Sequence, residues 1–219
     1  MIRVVLADDE PLIRVGVRTI LDTDPAIEVT GEAGTGPELV ELAARTRPDV
    51  ALLDIRMPGG GGLGAVAHVR RASPGTAVAM LTTFGKDDYI TRALAEGASG
   101  FLLKAGDPRE LIAGVHAVAA GGAYLSAKAA ALMARTMAAA ARPDPAAGTA
   151  AAQVAALTDR ERQVLALLGQ GLPNAEIARR LHLAEDTVKT HVSAVLAGLG
   201  AANRVQAAVI AHQAGLTPA

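Results

Sequence analysis

Apolar positions in the first part of the chain fall in short runs separated by segments of helical spacing. Ile2–Ala7, Ile27–Val29 with Ala33, Val50–Leu53, Thr76–Thr82 and Ser99–Lys104 are runs bounded by glycine, proline or acid. Each is too short for a helix and carries no 3.6-residue period, so five strands are predicted. Between them, Pro11–Leu21 repeats Leu12, Val15, Gly16 and Ile20 at helical spacing, and Pro37–Ala44 turns Leu39, Val40 and Leu42 inward. Further helices are predicted around Leu63–Arg71, over Asp87–Glu96, and over Asp107–Ala120 with Leu111, Ile112, Val115 and Val118 on one face. Strands alternating with helices call for a parallel sheet with right-handed crossovers, covered on both faces. The expected fold class is therefore α/β, a flavodoxin-like doubly wound five-stranded parallel sheet over residues 1–122, with strand order 2-1-3-4-5.

The pattern changes after Gly121-Gly122. Ser126–Ala141 is an alanine-rich stretch with Leu132, Met133 and Met137 spaced for one apolar helical face. Arg142–Thr149, rich in proline and alanine, has the composition of a linker. The alanine run resuming at Ala150 is either helical or disordered, so residues 123–152 are assigned to a helix and linker. Residues 153–219 then form a small all-α unit. Thr158-Asp159-Arg160-Glu161 is a capping box opening a helix with Val164, Leu165 and Leu168 inward. Pro173-Asn174 opens a short helix through Leu181, His182–Ala184 is a three-residue turn, and Glu185–Leu199 is the longest helix. Asn203 with Gln206 caps a last helix that ends before Gly215. Two helices across a tight turn predict a helix-turn-helix.

Composition narrows the function classes. A formal net charge of −1 over 219 residues excludes a grossly basic nucleic-acid binder while allowing local patches. The absence of cysteine excludes disulfides and thiolate metal sites. The first apolar run is too short for a signal peptide, and no stretch approaches the ~20 apolar residues of a membrane helix. A soluble cytoplasmic protein without membrane association is the expectation.

Chemistry gathers at the strand ends. The first strand runs into Asp8 and Asp9, the third ends on Asp54, the fourth on Thr82 and the fifth on Lys104. In an open parallel sheet the carboxyl ends of the strands face the ligand crevice, and order 2-1-3 puts Asp8 and Asp9 beside Asp54. Taken singly, Asp54 could simply cap a turn. Crowded carboxylates repel one another unless a cation sits among them, and an all-oxygen set with open positions suits Mg²⁺. One rim thus collects a metal-binding acid pair, a carboxylate, a hydroxyl and an ammonium.

Asp8-Asp9, Leu53-Asp54-Ile55-Arg56-Met57-Pro58, Leu81-Thr82 and Gly97-Ala98-Ser99-Gly100-Phe101-Leu102-Leu103-Lys104 together resemble the receiver domain of two-component response regulators. The resemblance implies that Asp54 accepts a phosphoryl group from a sensor histidine kinase. It implies Mg²⁺ held by Asp9, Asp54 and the Arg56 carbonyl, with Asp8 assisting, and Lys104 facing the transferring group from the other side. Thr82 would then bond a phosphoryl oxygen and let Phe101 rotate inward, and the strand-five face would pair two copies as a homodimer. Phe101 lacks the hydroxyl of the tyrosine many members carry. Pro58-Gly59-Gly60-Gly61-Gly62 departs from the usual Pro-x-x-Asp-Gly turn, which suggests a loop mobile before phosphorylation. An aspartyl-phosphate phosphatase would need an acid where Arg56 stands, so self-phosphorylation and self-dephosphorylation are the only catalysis expected.

Leu157-Thr158-x-Arg160-Glu161, Gly171-Leu172-Pro173-Asn174-Ala175-Glu176-Ile177-Ala178 and Thr187-Val188-Lys189-Thr190-His191-Val192 resemble the LuxR-type helix-turn-helix. The whole chain therefore resembles a NarL/FixJ-type response regulator, with double-stranded DNA, read as an inverted repeat, as its partner. On the long helix Val188, Val192, Val195, Leu196 and Leu199 are core positions, while Lys189, Thr190 and Ser193 face outward with His191 at their flank. Arg179, Arg180 and Arg204 are expected at the phosphates. Ala184 stands where relatives carry a Ser or Thr cap, and Ala194 and Gly198 replace positions often basic. With six Lys/Arg against five Asp/Glu in 153–219, the unit is near neutral. Weak binding per copy follows, and binding of protein instead of DNA is the alternative.

Overall fold

The structure is a computed structural model that describes residues 1–58, 61–82, 92–93, 96–104, 106–125 and 147–216. The helix predicted over Asp87–Glu96, the alanine-rich stretch Ser126–Ala141, most of the linker and Gly59-Gly60 lie largely or wholly outside these residues. The chain divides into two compact units.

In the first unit the strands are β1 (Ile2–Ala7), β2 (Ile27–Ala33), β3 (Val50–Asp54), β4 (Ala77–Thr82), β5 (Gly100–Leu103) and β6 (Tyr124–Leu125). The helices are α1 (Pro11–Leu21), α2 (Gly36–Thr46), α3 (Gly61–Ala72) and α4 (Pro108–Ala119). All strand pairs are parallel and the order is β2-β1-β3-β4-β5-β6. The flavodoxin-like order stands, with one correction: a sixth strand, paired through Gly100↔Tyr124 and Phe101↔Leu125, extends the sheet beyond β5. Two residues carry no period, which is why pattern alone passes over it. β1 carries a register irregularity between Val4 and Val5.

Both sheet faces are buried. Val4, Leu6, Val50, Leu52, Leu81 and Leu102 on one face pack against Val17 and Leu21 of α1 and Leu111, Val115 and Val118 of α4. The alternate residues Val5, Ala51, Leu53, Met80 and Phe101 are buried as well, and α2 and α3 pack on each other and on the strands. α1 corrects the expected apolar stripe. Leu12 and Val15 are 81% and 59% exposed, whereas Val17 and Leu21 are buried, with Ile13 and Ile20 packed beside them. The helix carries apolar residues on two faces, and spacing alone does not choose between them.

The second unit is all helix: α5 (Ala147–Ala155), α6 (Asp159–Gly169), α7 (Asn174–Leu181), α8 (Glu185–Leu199) and α9 (Arg204–Gln213). The segment around Ala150 is therefore helical, with Val154 in a core built from Val164, Leu165, Leu168, Ile177, Val188, Val195 and Leu199. Gln153 of α5 donates to the Leu199 carbonyl at 3.2 Å, so a division at 152/153 falls inside α5. The Thr158–Glu161 capping box is present in both directions. Asn203 accepts from the Gln206 amide at 2.9 Å, and the Gln206 side chain accepts from the Ala202 amide at 2.7 Å. α7 and α8 meet across His182–Ala184, the predicted helix-turn-helix. Among the described residues no single helix is long and apolar enough to cross a membrane.

Candidate functional site

Strand register sets the first site. Ala7 pairs with Leu53, so the next residue on each strand puts Asp8 beside Asp54. Asp54 pairs with Leu81 and Thr82 with Leu103, so Thr82 and Lys104 continue the same rim across β4 and β5. The Lys104 amide donates to the Thr82 carbonyl at 2.9 Å, which fixes the lysine at the edge of the crevice.

The Lys104 ammonium lies 2.5 Å from Asp8 Oδ2 and 3.0 Å from Asp54 Oδ1, with its side chain only 5% exposed. The remaining oxygens are held by backbone. Asp8 Oδ1 accepts from the Glu10 amide at 3.1 Å, and Asp54 Oδ2 from the Arg56 amide at 3.2 Å. Asp8 Oδ2 is buried and has no directed hydrogen bond, so its contact with Lys104 is electrostatic. Thr82 is buried at the end of β4. Asp9 is exposed at the mouth of an open cleft of about 530 Å³, walled also by Arg56, Met57, Pro58 and Arg92.

Burial pushes the Asp54 carboxyl above its ordinary range, and Asp8 adds to that, while Lys104 and the Arg56 amide pull the other way. For Lys104 burial is the largest single influence and acts downward, but the two carboxylates together carry its value above the ordinary one. The triad Asp8, Asp54 and Lys104 thus holds one positive charge against two negative ones in a poorly solvated place.

This imbalance is the ground on which a divalent cation fits. Asp8, Asp9 and Asp54 each bring a carboxylate oxygen to within 4.8 Å of the others. The donor set is oxygen only, one buried oxygen lacks a directed donor, and the cleft leaves room for water, as Mg²⁺ requires.

Backbone shape supports the site in a way that spacing did not reveal. α3 begins at Gly61, whose φ is +73°, and the Gly62 amide donates to the Ile55 carbonyl at 3.1 Å. A Cβ on Gly62 would stand 1.6 Å from the Asp54 carbonyl oxygen. Only glycine lets α3 start this close to the end of β3. Of the expected mobile turn, Gly61 and Gly62 are ordered into α3, and Gly59-Gly60 are outside the described residues.

Phe101 corrects a second expectation. It is fully buried between Met80 and Leu125, already inside. A ring with no hydroxyl has no polar tip to keep in water, so nothing holds it outward.

In the second unit α8 separates its faces as expected: Val188, Val195 and Leu199 are buried, with Val192 and Leu196 packed beside them. Lys189, Thr190 and Ser193 are exposed and His191 is half-buried at the flank. The face is self-engaged. Lys189 Nζ lies 3.1 Å from Asp186 and 3.9 Å from Glu185, and the Thr190 and Ser193 hydroxyls donate to the carbonyls four residues back. Ala184 provides no side-chain cap. Arg179 and Arg180 are exposed and pair with Glu176. Arg204 overturns its expected role: it is 7% exposed, donates to the Leu172 carbonyl and to Asn174, and burial pulls its value down to about 10. It ties α9 to the turn before α7 and is not a phosphate contact. As the first residue of α9, directly after the Asn203 cap, it gave no signal of this.

Comparison with known proteins agrees with both halves. Residues 4–116 match the response regulator receiver domain family, and residues 155–211 match the luxR family of bacterial regulatory proteins. The chain is 41% identical over 214 residues to the DNA-binding transcriptional activator DevR/DosR of Mycobacterium tuberculosis, covering 97% of this chain and 95% of that protein. It is 39% identical over 210 residues to the nitrate/nitrite response regulator protein NarL of Escherichia coli, covering 96% and 94%. Among solved structures, the signal receiver domain of the putative response regulator NarL from Mycobacterium tuberculosis aligns with a TM-score of 0.53 at 40% identity, over 55% of this chain and 97% of that one. With an acid-lined receiver rim at one end and a helix-turn-helix at the other, the chain belongs to the NarL-type response regulators, a receiver domain joined to a luxR-type DNA-binding domain.

Proposed function

We propose that the protein is a cytoplasmic transcription regulator switched by transfer of a phosphoryl group from a sensor histidine kinase to Asp54. The observation that carries this reading is the Asp8–Lys104–Asp54 contact at the carboxyl ends of the strands, beside the open cleft. Asp54 is the acceptor because it is the carboxylate at the end of the central strand β3, with one oxygen on Lys104 and with its neighbours Ile55 and Arg56 lining the cleft. One Asp54 oxygen forms the new O–P bond as the P–N bond to the kinase imidazole breaks. The imidazole keeps the electron pair and takes up a proton, so no general base is needed. Asp9, Asp54 and the Arg56 carbonyl, with Asp8 assisting, would hold Mg²⁺, which offsets charge on the transferring group. Lys104 balances a phosphoryl oxygen, and Thr82 donates its hydroxyl to another.

The output follows from shape. Once Lys104 and Thr82 engage the phosphoryl group, β4 and β5 shift, and with them the β5–α4 face on which two receivers pair. Phe101, packed within, supports that face. Two copies then place two α8 helices on an inverted repeat, with Lys189, Thr190 and Ser193 toward base edges and His191 at the flank. We assign residues 1–122 to the receiver, 123–152 to the connection and 153–219 to the DNA-reading unit, with α5 (Ala147–Ala155) crossing that last boundary and packing in the core of the second unit through Val154. The test is a mobility-shift titration on duplexes selected by the protein itself, with and without acetyl phosphate and Mg²⁺. Phosphorylation should tighten binding in the wild type and leave Asp54→Asn unchanged. Equal binding in all four conditions would sink the switch.

A further inference from the structure

The first turn of α8 holds an acid that the reading above does not use. Asp186 has a side chain 93% exposed, and its Oδ1 lies 3.1 Å from Lys189 Nζ. Glu185 is further from the lysine, at 3.9 Å, and less exposed at 43%. An exposed ion pair one turn apart stabilises a helix by only ~0.3–0.5 kcal/mol, so its stability value is small. Its cost at a DNA surface is larger, because a carboxylate beside phosphates is repelled unless it finds a donor.

The major groove supplies such a donor at one place. In a G·C pair, guanine presents two adjacent acceptors, O6 and N7, and cytosine presents the N4 amino group. O6 and N4 are bonded to each other across the pair, so they stand about 2.9 Å apart. The Lys189 ammonium and the Asp186 carboxylate repeat that spacing with opposite polarity, at 3.1 Å. On A·T the acceptors N7 and O4 are separated by the N6 amino group, so an ammonium finds them only singly. The neighbouring hydroxyls do not compete as donors, since Thr190 and Ser193 direct theirs to Asp186 O and Lys189 O.

We propose that Asp186 is a specificity-determining residue that accepts a hydrogen bond from cytosine N4, so that Asp186 and Lys189 read one G·C pair across both strands. This rests on the DNA-binding reading above and extends it to a named base pair. Breaking the exposed pair on docking costs little, and each partner regains a charge-assisted bond at the base edges. Facing guanine O6 and N7 or the thymine O4 and methyl, the carboxylate is left desolvated without a donor. On A·T it meets adenine N6 while the ammonium finds only a single acceptor, so the acid weakens binding to wrong sites.

The experiment uses the full-length chain treated with acetyl phosphate and Mg²⁺. Its preferred duplex is selected from a randomised library, and affinities are then measured for that duplex and for every single-pair change. Wild type, Asp186→Ala, Asp186→Asn and Lys189→Ala are compared at several salt concentrations. In the wild type one G·C pair per half-site should be strongly preferred. Asp186→Ala should lower discrimination at that pair by roughly tenfold, leave the other positions unchanged and strengthen binding to unrelated DNA. Asp186→Asn, which keeps the shape, should accept A·T there, since a carboxamide pairs with adenine N6 and N7. Lys189→Ala should relax the same pair and no other. Unchanged preference in Asp186→Ala, a uniform loss across all duplexes, or a preferred A·T at the Lys189 position would each overturn the assignment while leaving DNA reading intact. A wild type that selects no sequence would overturn both.

Discussion

Lys104 and its two acids form a buried cluster with an unbalanced negative charge, and this has consequences for stability as well as chemistry. Because the folded-state value of Asp54 lies above its unfolded one, keeping the proton favours the folded chain. That contribution is present below the ordinary carboxyl range near 3.8 and is lost as pH rises through the raised folded value. Asp54→Asn should therefore melt with the wild type at acid pH and above it at neutral pH in the absence of divalent metal. Scanning calorimetry against pH checks this, and a wild type more stable at neutral pH would contradict it. Lys104→Ala leaves Asp8 and Asp54 buried without their cation and should cost about 3–5 kcal/mol in EDTA. Mg²⁺ should recover part of that loss in Lys104→Ala and raise the melting temperature of the wild type. Asp8→Asn should bring the Asp54 value back down, read by carboxyl NMR. The rim residues were legible in the sequence because strand-end position and residue type together specify them. Arg204 was not, since a lone arginine beside a cap reads as a surface charge until the fold buries it.

Among elements, α1 and α8 show where patterning succeeds and where it stops. In α1 two apolar stripes compete, and the sheet takes the one containing Val17 and Leu21. Leu21→Ala should cost about 2–5 kcal/mol in urea unfolding, whereas Leu12→Ala should stay within about 0.5 kcal/mol. Comparable losses at the two positions would mean that the helix faces are assigned wrongly. α8 was read correctly because its polar face carries no second apolar stripe. Its missing cap is a local defect that Glu185 and Asp186 partly offset through the helix dipole. Ala184→Ser should add about 1 kcal/mol to the second unit, followed by its own melting transition. β6 escaped notice because two residues cannot display alternation, and the need for glycine at Gly62 because the clash it avoids is with a residue eight positions earlier. Gly62→Ala should disturb the Asp54 backbone and slow phosphorylation even where the chain still folds.

For the molecule as a whole, the sequence carried both architectures, since strand-helix alternation and the capped helices of the second unit are strong local signals. The segment between them is alanine-rich and nearly uncharged, and such composition does not distinguish helix from linker. The second unit is close to neutral, so a single copy should bind DNA weakly with a shallow salt dependence. On the proposed reading, two copies joined through phosphorylated receivers would gain by effective concentration instead of by new contacts. A fragment beginning ahead of α5 should bind the same duplex weakly and without response to phosphodonor, whereas tight binding by that fragment as a monomer would contradict the coupling. Everything downstream depends on the chemistry at one side chain. The most direct measurement is intact-mass analysis of the full chain after incubation with acetyl phosphate and Mg²⁺, with the modified peptide mapped by borohydride trapping. The account predicts a single hydroxylamine-labile phosphoryl group on Asp54, absent in Asp54→Asn and in EDTA. A phosphoryl group that persists in Asp54→Asn, or maps to another residue, would contradict it.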